Sequence, residues 1–306
     1  MKLKKAKNYN IKDINYLIEN NPLKLVLDAE SNYRGQLFKL AKKIMSIKNN
    51  QIVLMAGPSC AGKTTSALLL KKILEKYNKH IITISMDDFF LDRGKTPLLK
   101  DGSYDFDSVN AVNLSQMEKC FMELFKNKKA KFPRFDFIDG INYPDIFNLE
   151  VKKNTIILFE GLHVLNPEIT SRLGTSKFLK VYANPESGFE FKDNQLSSQN
   201  LRLVRRMIRD VQRRGHTPEY TLNMWKNVVA AENEYIEPFK SSVDYIINTT
   251  HSYEMAVYKK ELYALLFNHN KVIRALDFID LFDMSRALSK KALPKTSLMW
   301  EFIEKE

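Results

Sequence analysis

The chain has 306 residues and a mass of 35.7 kDa, enough for one or two domains with a sizeable core. Apolar residues are 44% and charged residues 27% of the chain, which excludes a disordered or fibrous protein. The net charge is +12, and its excess lies in two stretches, residues 1–50 with +7 and residues 201–216 with +5.

Cys60 and Cys120 are too few for a disulfide framework or a Cys-rich zinc site, so a reducing, cytoplasmic setting is expected. No apolar run approaches the ~18 residues of a membrane span. No apolar stretch of a secretory leader follows the basic Met1-Lys2-Leu3-Lys4-Lys5. The basic N-terminal segment reads as a solvated helical face, with nucleic-acid affinity as the other reading. Neither a membrane nor a nucleic-acid partner is expected, and a homo-oligomer is left open.

Residues 11–49 read as mostly helical, because Leu37, Leu40, Ala41 and Ile44 recur at helical spacing. Asn21-Pro22 interrupts the pattern, and Asn49-Asn50 marks a turn. Residues 51–56 are a continuous apolar run, as in a strand covered on both faces of a parallel sheet. A helix follows over 63–77, a second strand over 81–85, and an amphipathic helix over 113–126. Further strands are predicted at 155–159, 178–182 and 245–248, with helices at 199–213 and from about 253. This alternation predicts an α/β fold with a mostly parallel five-stranded sheet flanked by helices. There is no internal repeat or low-complexity tract, and the tail from about 271 carries no motif that the pattern explains.

Gly57-Pro58-Ser59-Cys60-Ala61-Gly62-Lys63-Thr64 fits the G-x-x-x-x-G-K-[ST] phosphate loop between a predicted strand and a predicted helix. Glycines let the backbone wrap closely, so that N–H groups meet phosphate oxygens at the positive end of a helix. Gly57, Ser59, Cys60, Ala61, Gly62, Lys63, Thr64 and Thr65 are therefore the expected ATP cradle. Lys63 reaches the β- and γ-phosphates, and the Thr64 hydroxyl takes a place on Mg²⁺. Cys60 reads as a small filler residue.

Ligands of a parallel sheet sit beyond the carboxyl ends of its strands. Asp87, in Met86-Asp87-Asp88-Phe89-Phe90, is thereby expected near the γ-phosphate. It could act as a proton acceptor or a magnesium-side carboxylate, or else cap a helix. Glu160 stands where a metal-side carboxylate would end the third strand, the alternative being a structural turn. His163 reads as structural. Tyr104-Asp105-Phe106-Asp107 and Pro133-Arg134-Phe135-Asp136-Phe137 interleave rings with carboxylates, a pattern that suits a nucleoside. Arg202, Arg205, Arg206 and Arg209 share one broad helical face, which is unfavourable without an anion. A triphosphate would supply it. The alternatives are an acid-paired helix or RNA binding. Gly215 is expected to end that helix.

In this order, the phosphate loop, the Asp87 and Asp107 segments, the Phe135 segment, Phe159-Glu160-Gly161 and Arg205-Arg206-Met207-Ile208-Arg209-Asp210 resemble the phosphoribulokinase/uridine kinase family of P-loop kinases. Trp225, the stretch Glu232-Asn233-Glu234-Tyr235-Ile236-Glu237-Pro238 and Leu293–Ile303 resemble its bacterial uridine-kinase-like branch. The resemblance implies a kinase domain over 50–270 with a lid at about 199–225, an N-terminal helical extension over 1–49, and a tail over 271–306 packed on the kinase domain. It implies Asp87 as the base that deprotonates a nucleoside 5′-hydroxyl, with Lys63, Arg205 and Arg209 assisting transfer. Thr64, Glu160 and Asp87 would face Mg²⁺. Arg205 and Arg206 would close over ATP. Asp107 would accept the ribose diol, Phe135 and Phe137 would stack on the base, and Arg202 would lie on the substrate side. The implied activity is transfer of the γ-phosphate of ATP to uridine or cytidine. The alternatives are another small hydroxyl acceptor, such as a sugar phosphate, or a non-catalytic NTP-binding role. Phe135 and Gly140 stand where such kinases commonly carry a tyrosine and a histidine.

Overall fold

Every residue of Thr155–Gly161 is buried, the mark of a strand covered on both faces. The computed structural model describes residues 7–47, 51–99, 102–175 and 177–305. The chain begins with β1 (Tyr9–Asn10), α1 (Ile11–Asn20) and α2 (Pro22–Ser46), and continues through β2 (Gln51–Ala56), α3 (Lys63–Glu75) and β3 (His80–Ser85). Next come α4 (Leu114–Asn127), β4 (Lys129–Asp136), β5 (Ile141–Glu150), β6 (Thr155–Gly161), α5 (Pro167–Thr170), β7 (Phe178–Asn184), β8 (Phe189–Phe191) and β9 (Asn194–Leu196). The last elements are α6 (Ser198–Arg214), α7 (Pro218–Tyr235), α8 (Glu237–Lys240), β10 (Tyr245–Asn248), α9 (Glu254–Arg274) and α10 (Ile279–Met284).

The five predicted strands form one sheet in the order β10-β7-β2-β6-β3, with every pair parallel. Alternate residues feed two apolar layers. Val53, Met55, Ile156, Leu158, Val181 and Ala183 face the layer formed with α1, α2, α3, α6 and α9. Ile52, Leu54, Ala56, Ile157 and Phe159 face the layer formed with α4 and the β4–β5 pair. The sheet register puts Glu160 beside Met55 on one side and Ser85 on the other, at the carboxyl edge.

Asn21 does interrupt the N-terminal helical stretch. Its side chain accepts from the Lys24 amide and Pro22 takes the first turn of α2, where its missing N–H costs nothing. Leu25, Val26, Ala29, Tyr33, Leu37, Leu40, Ala41 and Ile44 of α2 are buried in the first layer. The turn expected at Asn49-Asn50 and the basic residues 1–6 lie outside the described residues.

Residues 129–150, where no strand was predicted, are an antiparallel pair with a register shift between Phe132 and Arg134. Within residues 199–225, expected as a lid, Leu201, Val204, Met207 and Ile208 of α6 lie in the main apolar cluster. Gly215 ends α6 with φ 66, as its position after the last turn predicts.

Candidate active site

The loop between β2 and α3 is fixed by close backbone approaches. A Cβ on Gly57 would fall 2.1 Å from the Ala183 carbonyl oxygen of β7, so only glycine fits. Gly62 caps α3 with φ 83 and supplies no side-chain cap, which leaves the first-turn N–H groups for other anions. Lys63 Nζ donates to the Pro58 carbonyl at 3.0 Å, curled over the loop. Cys60 is a buried free thiol within it.

The Thr64 hydroxyl donates to Glu160 Oε1 at 3.2 Å, and the Ser85 hydroxyl to the same oxygen at 2.9 Å. Burial pushes the Glu160 carboxyl up to about 7, with Asp87 and Glu301 adding to the shift and Lys63 and Ser85 opposing it. The hydroxyl and carboxylate oxygens of Thr64, Glu160 and the neighbouring Asp87 fit a hard divalent cation such as Mg²⁺. Among the described residues no three His, Cys, Asp or Glu side chains form a cage for a metal. An Mg²⁺ here would share its coordination with phosphate oxygens and water, as this ion commonly does.

Asp87 and Asp88 leave β3 in a short 3-10 turn and face different groups. Asp87 acts on both Glu160 and Asp107, raising the carboxyl of each. Burial pushes Asp88 up to about 6, countered by Arg134 and the Phe135 amide. Burial likewise raises Asp107, which Arg206 and Lys63 hold down. Asp87, Asp107, Glu160 and Lys63 are thus electrostatic neighbours at one mouth, and Asp88 is turned toward the β4–β5 pair. His163 is buried beneath this mouth against the Tyr235 ring, and burial pushes its imidazole down to about 4, so it is neutral.

A group of rings flanks Asp107. Phe90 lies 5.6 Å from Phe135 and 6.0 Å from Phe106, and Phe135 lies 5.1 Å from Phe137. Phe135 is packed into the core, whereas Phe137 is half exposed and carries the Arg214 guanidinium 5.5 Å from its ring centre. Gly140 has φ 71, and a Cβ there would meet the Arg93 guanidinium at 2.7 Å, so a histidine at this turn would displace Arg93.

Two of the α6 arginines are acid-paired, one of the alternatives their spacing left open. Arg202 is buried against Glu232 of α7 and donates to the Ser59 carbonyl at 3.2 Å. Arg205 is fully buried, forks onto both carboxylate oxygens of Glu254, and donates to the Cys60 carbonyl at 3.1 Å. Glu232 and Glu254 supply the anions at these two positions. These two arginines therefore hold α6 against the phosphate loop, and neither offers a free fork to ATP or substrate. Arg206 donates to the Ser59 hydroxyl at 3.1 Å, and Arg209 pairs with Asp210 at 2.7 Å; each side chain is 15% exposed at the loop's edge. Sequence reasoning assigned no role to Ser85, Glu254 or Glu301. Ser85 was within reach, since it ends a predicted strand two residues before Asp87.

The model of the phosphoribulokinase/uridine kinase family matches residues 52–256. A uridine kinase of Saccharomyces cerevisiae is 26% identical over 250 residues, covering 80% of this chain but 45% of that protein. A uridine kinase of Lactobacillus helveticus is 27% identical over 200 residues, covering 64% of this chain and 85% of that protein. A solved structure described as a possible uridine kinase from Bacillus stearothermophilus overlays with a TM-score of 0.45 at 16% identity, covering 70% of this chain and 98% of that one. No helix among the described residues is long and apolar enough to cross a membrane. The phosphate loop at the end of a central parallel strand and the family match over two thirds of the chain lead to one assignment: the chain belongs to the phosphoribulokinase/uridine kinase family and is a small-molecule phosphotransferase with an alcohol acceptor.

Proposed function

We propose that the protein transfers the γ-phosphate of ATP to the 5′-hydroxyl of a pyrimidine ribonucleoside, uridine or cytidine. The observation that carries this reading is the grouping of Asp87 and Asp107 with Lys63, beside exposed Phe137. One carboxylate is available to take the hydroxyl proton, and the other to accept a ribose diol. Lys63 leaves the Pro58 carbonyl to meet the phosphates, and Arg206 and Arg209 add positive charge at the loop's rim. Bound Mg²⁺, held by Thr64 and Glu160 with Asp87 nearby, would supply charge neutralisation on the phosphate oxygens.

The names of the relatives, uridine kinases, support the same acceptor class. Phe135 and Gly140 favour a second reading, because neither side chain hydrogen-bonds a base edge. In that reading the acceptor is another small alcohol, such as a sugar phosphate. ADP release measured over a panel of ribonucleosides, deoxynucleosides and sugar phosphates separates the two. Uridine- or cytidine-dependent release is expected. Release with sugar phosphates alone would replace the first reading with the second, and no release with any acceptor would leave only nucleotide binding.

A further inference from the structure

The C-terminal segment is seated across the phosphate loop, 236 residues away in sequence. Thr65 is the third residue of α3, and its amide is one of the first-turn donors that a phosphate loop offers to a nucleotide. Here that amide donates to Glu301 Oε2 at 3.1 Å. One N–H cannot serve a carboxylate and a phosphate oxygen at full strength, and two anions at the same helix terminus repel each other.

The position of Glu301 is set by structure on every side. Leu298–Glu301 is a 3-10 turn whose first amides are capped by the Ser297 hydroxyl, which accepts from Met299 N at 3.3 Å. The Leu298 side chain lies on the phosphate loop, where a Cβ on Gly62 would come within 2.6 Å of it. Phe302 packs its ring 4.7 Å under the Arg205 guanidinium. Leu298, Met299, Phe302 and Ile303 are all fully buried. Arg213 of α6 donates to the carbonyls of Trp300, Glu301 and Ile303 at 2.8, 3.0 and 2.9 Å. The helix that bears Arg206 and Arg209 at the loop's rim is therefore also the helix that holds the tail.

We propose that the turn Leu298–Glu301 is an intramolecular latch, in which the Glu301 carboxylate occupies the Thr65 amide and must leave it before a phosphate of ATP can bind there. The latch lowers apparent nucleotide affinity by the fraction of molecules in which it is closed. Because Arg213 ties the tail to α6, release of Glu301 and adjustment of α6 over the nucleotide are coupled. The inference rests on ATP binding at the phosphate loop and is independent of which alcohol is phosphorylated.

The test titrates ATP, without acceptor, into the 306-residue protein and its Glu301→Gln, Glu301→Ala and Arg213→Met variants, by calorimetry. Thermal unfolding is recorded with and without ATP. Glutamine keeps the size of Glu301 and removes its charge, so this variant keeps the fold. A closed charge-assisted contact at a half-exposed site predicts that ATP binds the Glu301 variants about three- to tenfold more tightly than wild type. Arg213→Met, which loosens the tail without altering the Glu301 carboxylate, is expected to shift affinity in the same direction. Equal or weaker ATP binding by Glu301→Gln, with wild type binding normally, overturns the latch and leaves the proposed function intact. Equal binding with a lower melting temperature in both states would make Glu301 a helix cap only, which also overturns it. No ATP binding by wild type and variants alike would remove the proposed function, and the latch with it.

Discussion

Arg205 and Glu254 face one another with neither side chain exposed to solvent, the guanidinium forking onto both carboxylate oxygens. The same guanidinium donates to the Cys60 carbonyl at 3.1 Å and the Thr249 carbonyl at 3.0 Å, so one buried cation joins the phosphate loop, α6 and the start of α9. Arg205→Ala would strand Glu254 as a buried, unpaired anion, a change that costs about 3–5 kcal/mol in comparable pairs. A clear fall in melting temperature is expected, and Arg205→Lys should rescue little of it, since an ammonium cannot reproduce the fork. Arg206→Ala removes a side chain at the rim and should raise the KM for ATP with little change in melting. Denaturant unfolding and ATP kinetics on both variants check this. A normally stable Arg205→Ala would sink the structural role.

The division between what the sequence shows and what it hides follows from the range of the interactions. All five strands of the sheet are visible as short apolar runs, because a parallel strand covered on both faces has no polar face to disguise it. The β4–β5 pair is hidden because Pro133 and Pro144 stand inside its strands and much of β5 is exposed. Proline reads as a break in a strand, and here the register shift next to Pro133 absorbs it. The phosphate loop and the acids at Asp87 and Glu160 are local signals at strand ends. The partners of the arginines are not: Glu232 lies 30 residues from Arg202, and Glu254 lies 49 from Arg205. Spacing along one helix reveals the positive charges and says nothing of the anions brought up by α7 and α9.

His163 gives the fold an acid-sensitive point. Burial pushes its imidazole from the ordinary 6.5 down to about 4. Between those values the unfolded chain binds a proton that the folded chain refuses, so stability falls as pH falls. From pH 7 to pH 5 this one group should remove about 2 kcal/mol. His163→Leu is expected to flatten that part of the pH profile relative to wild type. Urea unfolding at pH 7, 6 and 5 measures it, and parallel profiles for the two proteins would show that His163 does not carry the effect.

Asp107 is expected to distinguish ribose from deoxyribose. Its carboxyl is raised by burial and held in the field of Arg206 and Lys63, so it lies with the phosphate-binding groups. A polar group aimed at a hydroxyl is left unpaired by an analogue lacking it. At the ~1–3 kcal/mol of an unsatisfied buried acceptor, the preference for uridine over deoxyuridine in kcat/KM should then be on the order of 10- to 10²-fold. Asp107→Ala should erase most of that preference. Equal kcat/KM for the two substrates in wild type would remove both the role of Asp107 and the ribonucleoside reading.

Asp87 and Asp88 are adjacent in sequence, and the 3-10 turn sends them to different neighbours. Asp87 shares the field of Glu160 and Asp107, whereas Asp88 meets Arg134 and the Phe135 amide. If Asp87 accepts the proton of the attacking hydroxyl, Asp87→Asn should lower kcat by the ~10²–10⁴-fold typical of losing a positioned base. Nucleoside affinity should change little, because the proton moves only in the transition state. ATP should still bind, since Lys63 and the loop amides are untouched. Asp88→Asn should retain transfer, because its carboxylate serves the contact with β4. Single-turnover kinetics with ATP, Mg²⁺ and uridine on both variants decide the matter. An active Asp87→Asn beside a dead Asp88→Asn would assign the proton to the other carboxylate. Less than tenfold slowing in both would mean that the end of β3 does not hold the base.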